Sequence, residues 1–156
     1  MKKTIYLDHA ATTSVDARVM KAMHPYFEQV YGNPSSLHNL GLQSKAALDL
    51  ARNKVASILR CQPEEIIFTS GGTESINLAI KGIAFQKSQG DVKGHLITSK
   101  IEHPAVLDTC QYLEKKGFSV TYLNAAQDGL ISLKELEQAI RPDTILISIM
   151  TANNEI

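Results

Sequence analysis

From about residue 66 onward, short apolar or β-branched runs alternate with stretches of helical periodicity, and this alternation constrains the chain more than any other feature. Ile66–Thr69, His95–Ser99, Ser119–Leu123 and Thr144–Met150 read as strands. Between them, Thr73 to about Gln86, Pro104–Lys115 and Leu133–Ile140 read as helices, the last opened by a capping box of Ser132 and Glu135. Such alternation predicts right-handed crossovers and a mostly parallel sheet covered on both faces by flanking helices, an α/β fold. The helix after Gly72 is apolar on more than one side (Ile76, Leu78, Ala79, Ile80, Ile83), so deep packing is expected for it.

The first 60 residues have a different character. Ile5–Asp8 is a short extended piece and His9–Thr13 a polar loop. Ser14 can cap a helix running to about Val30, with Val15, Val19, Met23 and Phe27 on one face and Pro25 as a kink or a division. Tyr31–His38, YGNPSSLH, is punctuated by Gly32 and Asn33-Pro34 and must be a loop. It either lines a pocket or simply joins two helices. Gln43–Leu59 is a second amphipathic helix, with Leu48, Ala51, Val55 and Leu59 at helical spacing. Residues 1–60 therefore read as an N-terminal segment and 61–156 as the beginning of the α/β domain. Asn153-Asn154-Glu155-Ile156 follow the last strand directly, where a crossover should begin, so the chain reads as a fragment.

Charge narrows the function classes. Lys plus Arg and Asp plus Glu are both 16, which speaks against an electrostatic nucleic-acid or membrane binder. Asp8 and His9 interrupt any signal-peptide core after Lys2-Lys3, and no stretch reaches transmembrane length, so the expected compartment is the cytoplasm. Cys61 and Cys110 are too few and too separated for a disulfide scaffold or a zinc site, and no metal is expected. Cys110 shares an apolar helix face with Val106, Leu107 and Leu113 and reads as a small core residue. Cys61 lies in a polar connection, with no neighbouring base to activate it.

Ligands of parallel sheets bind beyond the carboxyl ends of the strands. Three loops fall there. Gly71-Gly72-Thr73 is a glycine turn into a helix, whose free N–H groups and dipole suit a phosphate, with the Thr73 and Ser75 hydroxyls as further donors. It is neither a Walker P-loop nor a GxGxxG fingerprint, and a tight turn with a helix cap explains it equally well in isolation. Lys100–Pro104 places His103 at a cap position before Pro104. Thr151–Glu155 is rich in amides. His103 alone suits capping or a core, and Asn154 alone suits turn chemistry. Their shared edge points to a phosphorylated cofactor.

YLDHAATT (6–13), YGNPSSLH (31–38), FTSGGTESINLAIKG (68–82), TSKIEHPAVLDTC (98–110) and TILISIMTANNEI (144–156) resemble the cysteine desulfurases, pyridoxal 5'-phosphate (PLP) enzymes of aminotransferase class V and fold type I. The resemblance implies that 61–156 opens the PLP-binding large domain. It implies that Gly72 and Thr73 hold the cofactor phosphate, that His103 stacks on the ring and moves protons, and that Asn154 bonds the ring oxygen. His9, Ala10 and Asn33 would lie at the substrate end. Such enzymes convert L-cysteine to L-alanine and leave the sulfur on an enzyme cysteine as a persulfide. They are homodimers that serve sulfur-acceptor proteins, either a scaffold for iron–sulfur assembly or a transfer-RNA thiolase, without binding nucleic acid directly.

The residues also depart from the family pattern. The family's Schiff-base lysine, its pyridine-pairing aspartate and its persulfide cysteine match nothing in 1–156, and Lys100 matches a position without a covalent role. Residues 1–156 alone are therefore expected to be inactive. Two alternatives are another class V enzyme, a selenocysteine lyase or a transaminase, and a non-catalytic truncated piece.

Overall fold

Five residues, His95–Ser99, form the strand around which the C-terminal part of the molecule is built (β1), and all five are buried. The computed structural model describes residues 5–88 and 93–156. It divides the chain into two compact units, one ending at Phe68 and one beginning at Thr69.

In the second unit, α4 (Gly72–Lys87), β1, α5 (Pro104–Glu114), β2 (Ser119–Leu123), α6 (Leu133–Ala139) and β3 (Thr144–Ser148) follow in order. The sheet has the order β2-β1-β3, and both pairings are parallel. Crossovers leave β1 in one direction and return in the other, so right-handed connections send α5 and α6 to opposite faces. Ile80, Ala84, Val106, Cys110 and Leu113 of α4 and α5 pack with Leu96 and Phe118 in one core cluster. The other face is less covered: α6 lies against β2, while Ile147 on β3 stays 42% exposed. Cover on both faces is thus only partial among the described residues.

The sheet bounds expected from sequence hold for β1 and β2, and β3 ends at Ser148 rather than Met150. Ile66–Thr69, expected as a strand, is irregular instead. A strand needs a ladder partner, and none of the described strands pairs with it. Ile67 accordingly remains 67% exposed. α4 is also less deeply packed than its composition suggested, with only Ile80 and Ala84 buried and Leu78 and Phe85 both 48% exposed.

At the amino end of the sheet, the fully buried His95 ties all three strands together. Its Nδ1 lies 2.8 Å from Thr144 Oγ1 on β3 and its Nε2 2.8 Å from Thr121 Oγ1 on β2. Burial, helped by the Arg141 charge and opposed by Asp143, holds its pKa below the ordinary histidine value. The unfolded chain then takes up the proton first, so this contribution to stability is complete above about pH 6.5 and is lost as pH falls through the lower folded value. Urea unfolding from pH 8 to pH 5 should show stability declining with acidity, and His95→Gln should flatten that part of the curve. An unchanged slope in the variant would show that other groups set it.

The first unit contains α1 (Ala17–Met23), α2 (Pro25–Glu28), α3 (Asn39–Leu59) and a 3₁₀ turn at Pro63–Glu65. Pro25 divides the first helical stretch, as expected, but the cap is Asp16 rather than Ser14: its carboxylate accepts from Arg18 N–H at 2.7 Å. Val15, Val19, Met23 and Phe27, expected on one face, are all exposed. α3 starts at Asn39 rather than Gln43, because the His38 ring accepts from Gly41 N–H at 3.3 Å and caps it. Tyr31–His38 is a loop, and it is folded tightly against the start of α3. A Cβ on Gly32 would fall 2.4 Å from the Leu40 carbonyl carbon, and one on Gly41 would fall 2.3 Å from the Ser36 oxygen.

Candidate functional site

The candidate site lies at the carboxyl edge of the sheet in the second unit. Phe85, near the end of α4, meets Phe118 edge-on at 6.0 Å, just before β2 begins. The end of α4 therefore sits at the amino edge and its start points toward the carboxyl edge. α5 begins at that same edge, directly after β1, and the 149–156 loop leaves β3 there.

At the start of α4 the turn is held by its own side chains. The Thr69 and Ser75 hydroxyls are hydrogen-bonded to each other at 2.6 Å, and both lie within hydrogen-bonding distance of the Gly71 carbonyl, at 3.1 and 3.2 Å. Ser70 donates its N–H and its hydroxyl to Glu74 Oε2, at 2.7 and 2.6 Å, and these bonds hold the Glu74 pKa below its ordinary value. Ser75, expected as a ligand donor, is thus already spent inside the turn. The first N–H groups of a helix lack an intrahelical partner. Among the described residues the Thr73 hydroxyl also has no hydrogen-bond partner, and apart from the adjoining chain no heavy atom comes within 4 Å of a Cβ built on Gly71 or Gly72. The approach to the Gly72 and Thr73 donors is therefore open.

His103 is the N-cap of α5, followed by Pro104 as the sequence indicated. Its Nδ1 accepts the Ala105 N–H at 3.1 Å, so a neutral ring carries its proton on Nε2. The ring is exposed, and Nε2 has no hydrogen-bond partner among the described residues.

Two residues that sequence reasoning left out of the site join the loops after β1 and β3. Glu102, 8% exposed, uses Oε1 to accept from the Ser99 hydroxyl at 3.0 Å and from Met150 N–H at 2.7 Å. Asn153 donates Nδ2–H to the Ile101 carbonyl at 2.8 Å, while its Oδ1 accepts from Glu155 and Ile156 N–H at 2.6 and 3.1 Å. Asn154 itself is exposed and makes no hydrogen bond among the described residues. A cavity of about 450 Å³ opens beside these loops, lined in part by Ser99, Ile101, Leu130, Met150 and Asn153. Gly72, Thr73, His103 and Asn154 do not line it.

His9, Ala10 and Asn33 belong to the first unit. His9 meets Tyr6 edge-on at 5.1 Å, and Ala10 lies in a turn closed by Ala11 N–H on the Asp8 carbonyl at 3.3 Å. Asn33 Oδ1 accepts from Ser35 N–H at 2.9 Å, the local turn chemistry expected of an Asn-Pro loop. Cys61 is half-buried. Cys110 is 1% exposed, and burial, with Glu114 and Glu102 adding to it, pushes its thiol up to about 11, which removes it as a nucleophile near neutral pH. The described residues hold no cluster suited to a metal ion, and none of their helices is long and apolar enough to cross a membrane.

The second unit thus defines an α/β protein of the parallel-sheet class, with its polar, donor-bearing turns gathered at the carboxyl edge of the strands. The family model for class-V aminotransferases matches residues 5–156, and the chain belongs to that family. A cysteine desulfurase IscS of Dictyoglomus turgidum is 52% identical over 157 residues, covering 100% of this chain and 39% of that protein. The solved structure described as SspA in complex with cysteine superposes with a TM-score of 0.92 at 48% identity, covering 98% of this chain and 44% of that one. A NifS-like protein superposes at 0.89 with 45% identity, covering 94% and 40%. The chain therefore spans about two-fifths of the length of these relatives. The class-V aminotransferases and cysteine desulfurases it resembles are PLP-dependent enzymes.

Proposed function

We propose that this chain is the cofactor-phosphate part of a PLP-dependent cysteine desulfurase that converts L-cysteine to L-alanine. The observation that carries this proposal is the pairing, at one sheet edge, of an open helix start at Gly72-Thr73 with a capping histidine whose Nε2 is free. Likeness to a cysteine desulfurase and to a structure described as holding cysteine supports the substrate.

In this proposal the Gly72 and Thr73 N–H groups and the Thr73 hydroxyl hold the cofactor phosphate against the positive end of α4. His103, fixed through Nδ1, offers its ring face for stacking and its Nε2 proton for transfer. Asn154 takes the ring oxygen, and His9, Ala10 and Asn33 serve the substrate end. PLP, when bound, supplies an electron sink for the substrate's α-carbon. Residues 61–156 open the cofactor-binding domain and 1–60 are its N-terminal segment. The complete protein is then a cytoplasmic homodimer that passes sulfur to an acceptor protein for iron–sulfur assembly or transfer-RNA thiolation.

The test is PLP uptake and alanine release from L-cysteine by the full-length protein. Thr73→Ala removes one of the phosphate donors, and a hydrogen bond to a charged group contributes roughly 1.5–3 kcal/mol. PLP should then bind about 10- to 100-fold more weakly in equilibrium titration. Residues 1–156 supplied with PLP should release no alanine. If the full-length protein takes up no PLP, the proposal fails.

A further inference from the structure

The carboxyl edge is more firmly joined than a ligand-binding edge of separate loops needs to be. The turn at residues 100–103 is fastened to the loop after β3 at two points. Glu102 Oε1 takes Met150 N–H at 2.7 Å while also holding the Ser99 hydroxyl, and Asn153 Nδ2 reaches the Ile101 carbonyl at 2.8 Å. These partners lie 48 and 52 residues apart in sequence, so neither bond is local turn chemistry. A carboxylate on a residue only 8% exposed costs free energy unless its acceptors are used, and both bonds fall on one oxygen. Glu102 immediately precedes His103, and Asn153 immediately precedes Asn154. Each fastening residue is thus the chain neighbour of a residue assigned to the cofactor ring.

We infer that Glu102, with Asn153 beside it, is a positioning residue that sets the separation between His103 and Asn154 and so fixes the slot in which a flat cofactor ring would meet a stacking face from one and an edge donor from the other. This inference rests on the function proposed above. Glu102 touches neither cofactor nor substrate. It acts through the backbone of the two loops: Met150 N–H is anchored relative to the end of β1, while His103 is anchored to α5 by its own cap. Misplacement of about 1 Å in such a pair is enough to weaken binding and catalysis severely.

The experiment uses the full-length protein, with PLP as the probe. Glu102→Asp keeps the charge but is one methylene shorter, so it cannot hold Ser99 and Met150 together. Glu102→Gln keeps an Oε1 that accepts the same two bonds. Equilibrium titration of apo-protein with PLP, read by the absorption of the bound cofactor, should give at least tenfold weaker binding and a displaced absorption maximum for Glu102→Asp. Glu102→Gln should bind within about threefold of wild type, and the apo-forms of all three should melt within a few degrees of one another. Asn153→Ala should weaken PLP binding in the same direction as Glu102→Asp. Wild-type affinity and spectrum in Glu102→Asp overturn the inference and leave the proposed function standing. Failure of the wild-type protein to bind PLP overturns both. If the Asp and Ala variants do not fold, or if their apo-forms lose stability in step with affinity, Glu102 serves the fold rather than the slot, and the inference is rejected.

Discussion

His103→Ala in the full-length protein is expected to lower alanine release from L-cysteine by about 10²- to 10⁴-fold, the range a positioned proton-transfer group contributes. The same substitution removes a helix cap, since Ala105 N–H loses its acceptor at 3.1 Å. That loss costs about 1 kcal/mol of stability on its own. The two effects separate in His103→Asn, because an asparagine side chain caps a helix as well as any residue but carries no proton at the position of Nε2. Asn should therefore keep the wild-type melting temperature and lose the activity, while Ala should lose both. Alanine release at saturating cysteine and PLP, measured beside thermal unfolding, distinguishes them. Wild-type turnover in His103→Asn would reduce His103 to a cap.

Gly41→Ala should strongly destabilise the first unit, by about 3 kcal/mol, at the upper end of what overpacking usually costs. A Cβ there falls 2.3 Å from the Ser36 carbonyl oxygen and 2.7 Å from that of Asn33. Both obstacles are backbone atoms in a loop whose own bonds oppose retreat, since Ser36 N–H donates to the Asn33 carbonyl at 2.9 Å. Gly41 N–H must also stay in place to meet the His38 ring. Gly82 offers the contrast: it lies in α4, and apart from the helix's own backbone no heavy atom comes within 4 Å of an added Cβ, so Gly82→Ala should be stabilising through helix propensity, by about 1 kcal/mol. Denaturant midpoints for the two variants should move in opposite directions.

The elements most legible in the sequence were those whose pattern and partners are both complete. β1 and β2 came out residue for residue, because each is a short apolar or β-branched run between clear punctuation. α5 was marked by His103-Pro104, and α6 by Ser132, whose hydroxyl accepts from Glu135 N–H at 3.3 Å. Ile66–Thr69 has the composition of a strand but no partner among the described strands, and composition cannot supply a ladder. The early start of α3 depended on a histidine acting as a cap, a role shared by too many residue types to be read from the pattern. At the candidate site, the helix starts at Gly72-Thr73 and after His103 were visible because helix starts announce themselves locally. Glu102 and Asn153 were not, since their partners are backbone groups about 50 residues away and nothing in the neighbouring sequence encodes them.

The strand order β2-β1-β3 also sets a timetable for synthesis. β1, the strand with every residue buried, emerges first, and one of its two edges must wait for Thr144, 49 residues behind His95. At a translation rate of roughly 5–20 residues per second, that interval is about 2–10 s. Throughout it the nascent chain presents an unpaired apolar strand edge, and the His95 ring lacks its second hydroxyl. That interval is when a passing chain could take the place of β3, and a chaperone that shields β1 until Thr144–Ser148 arrive would have the most to protect.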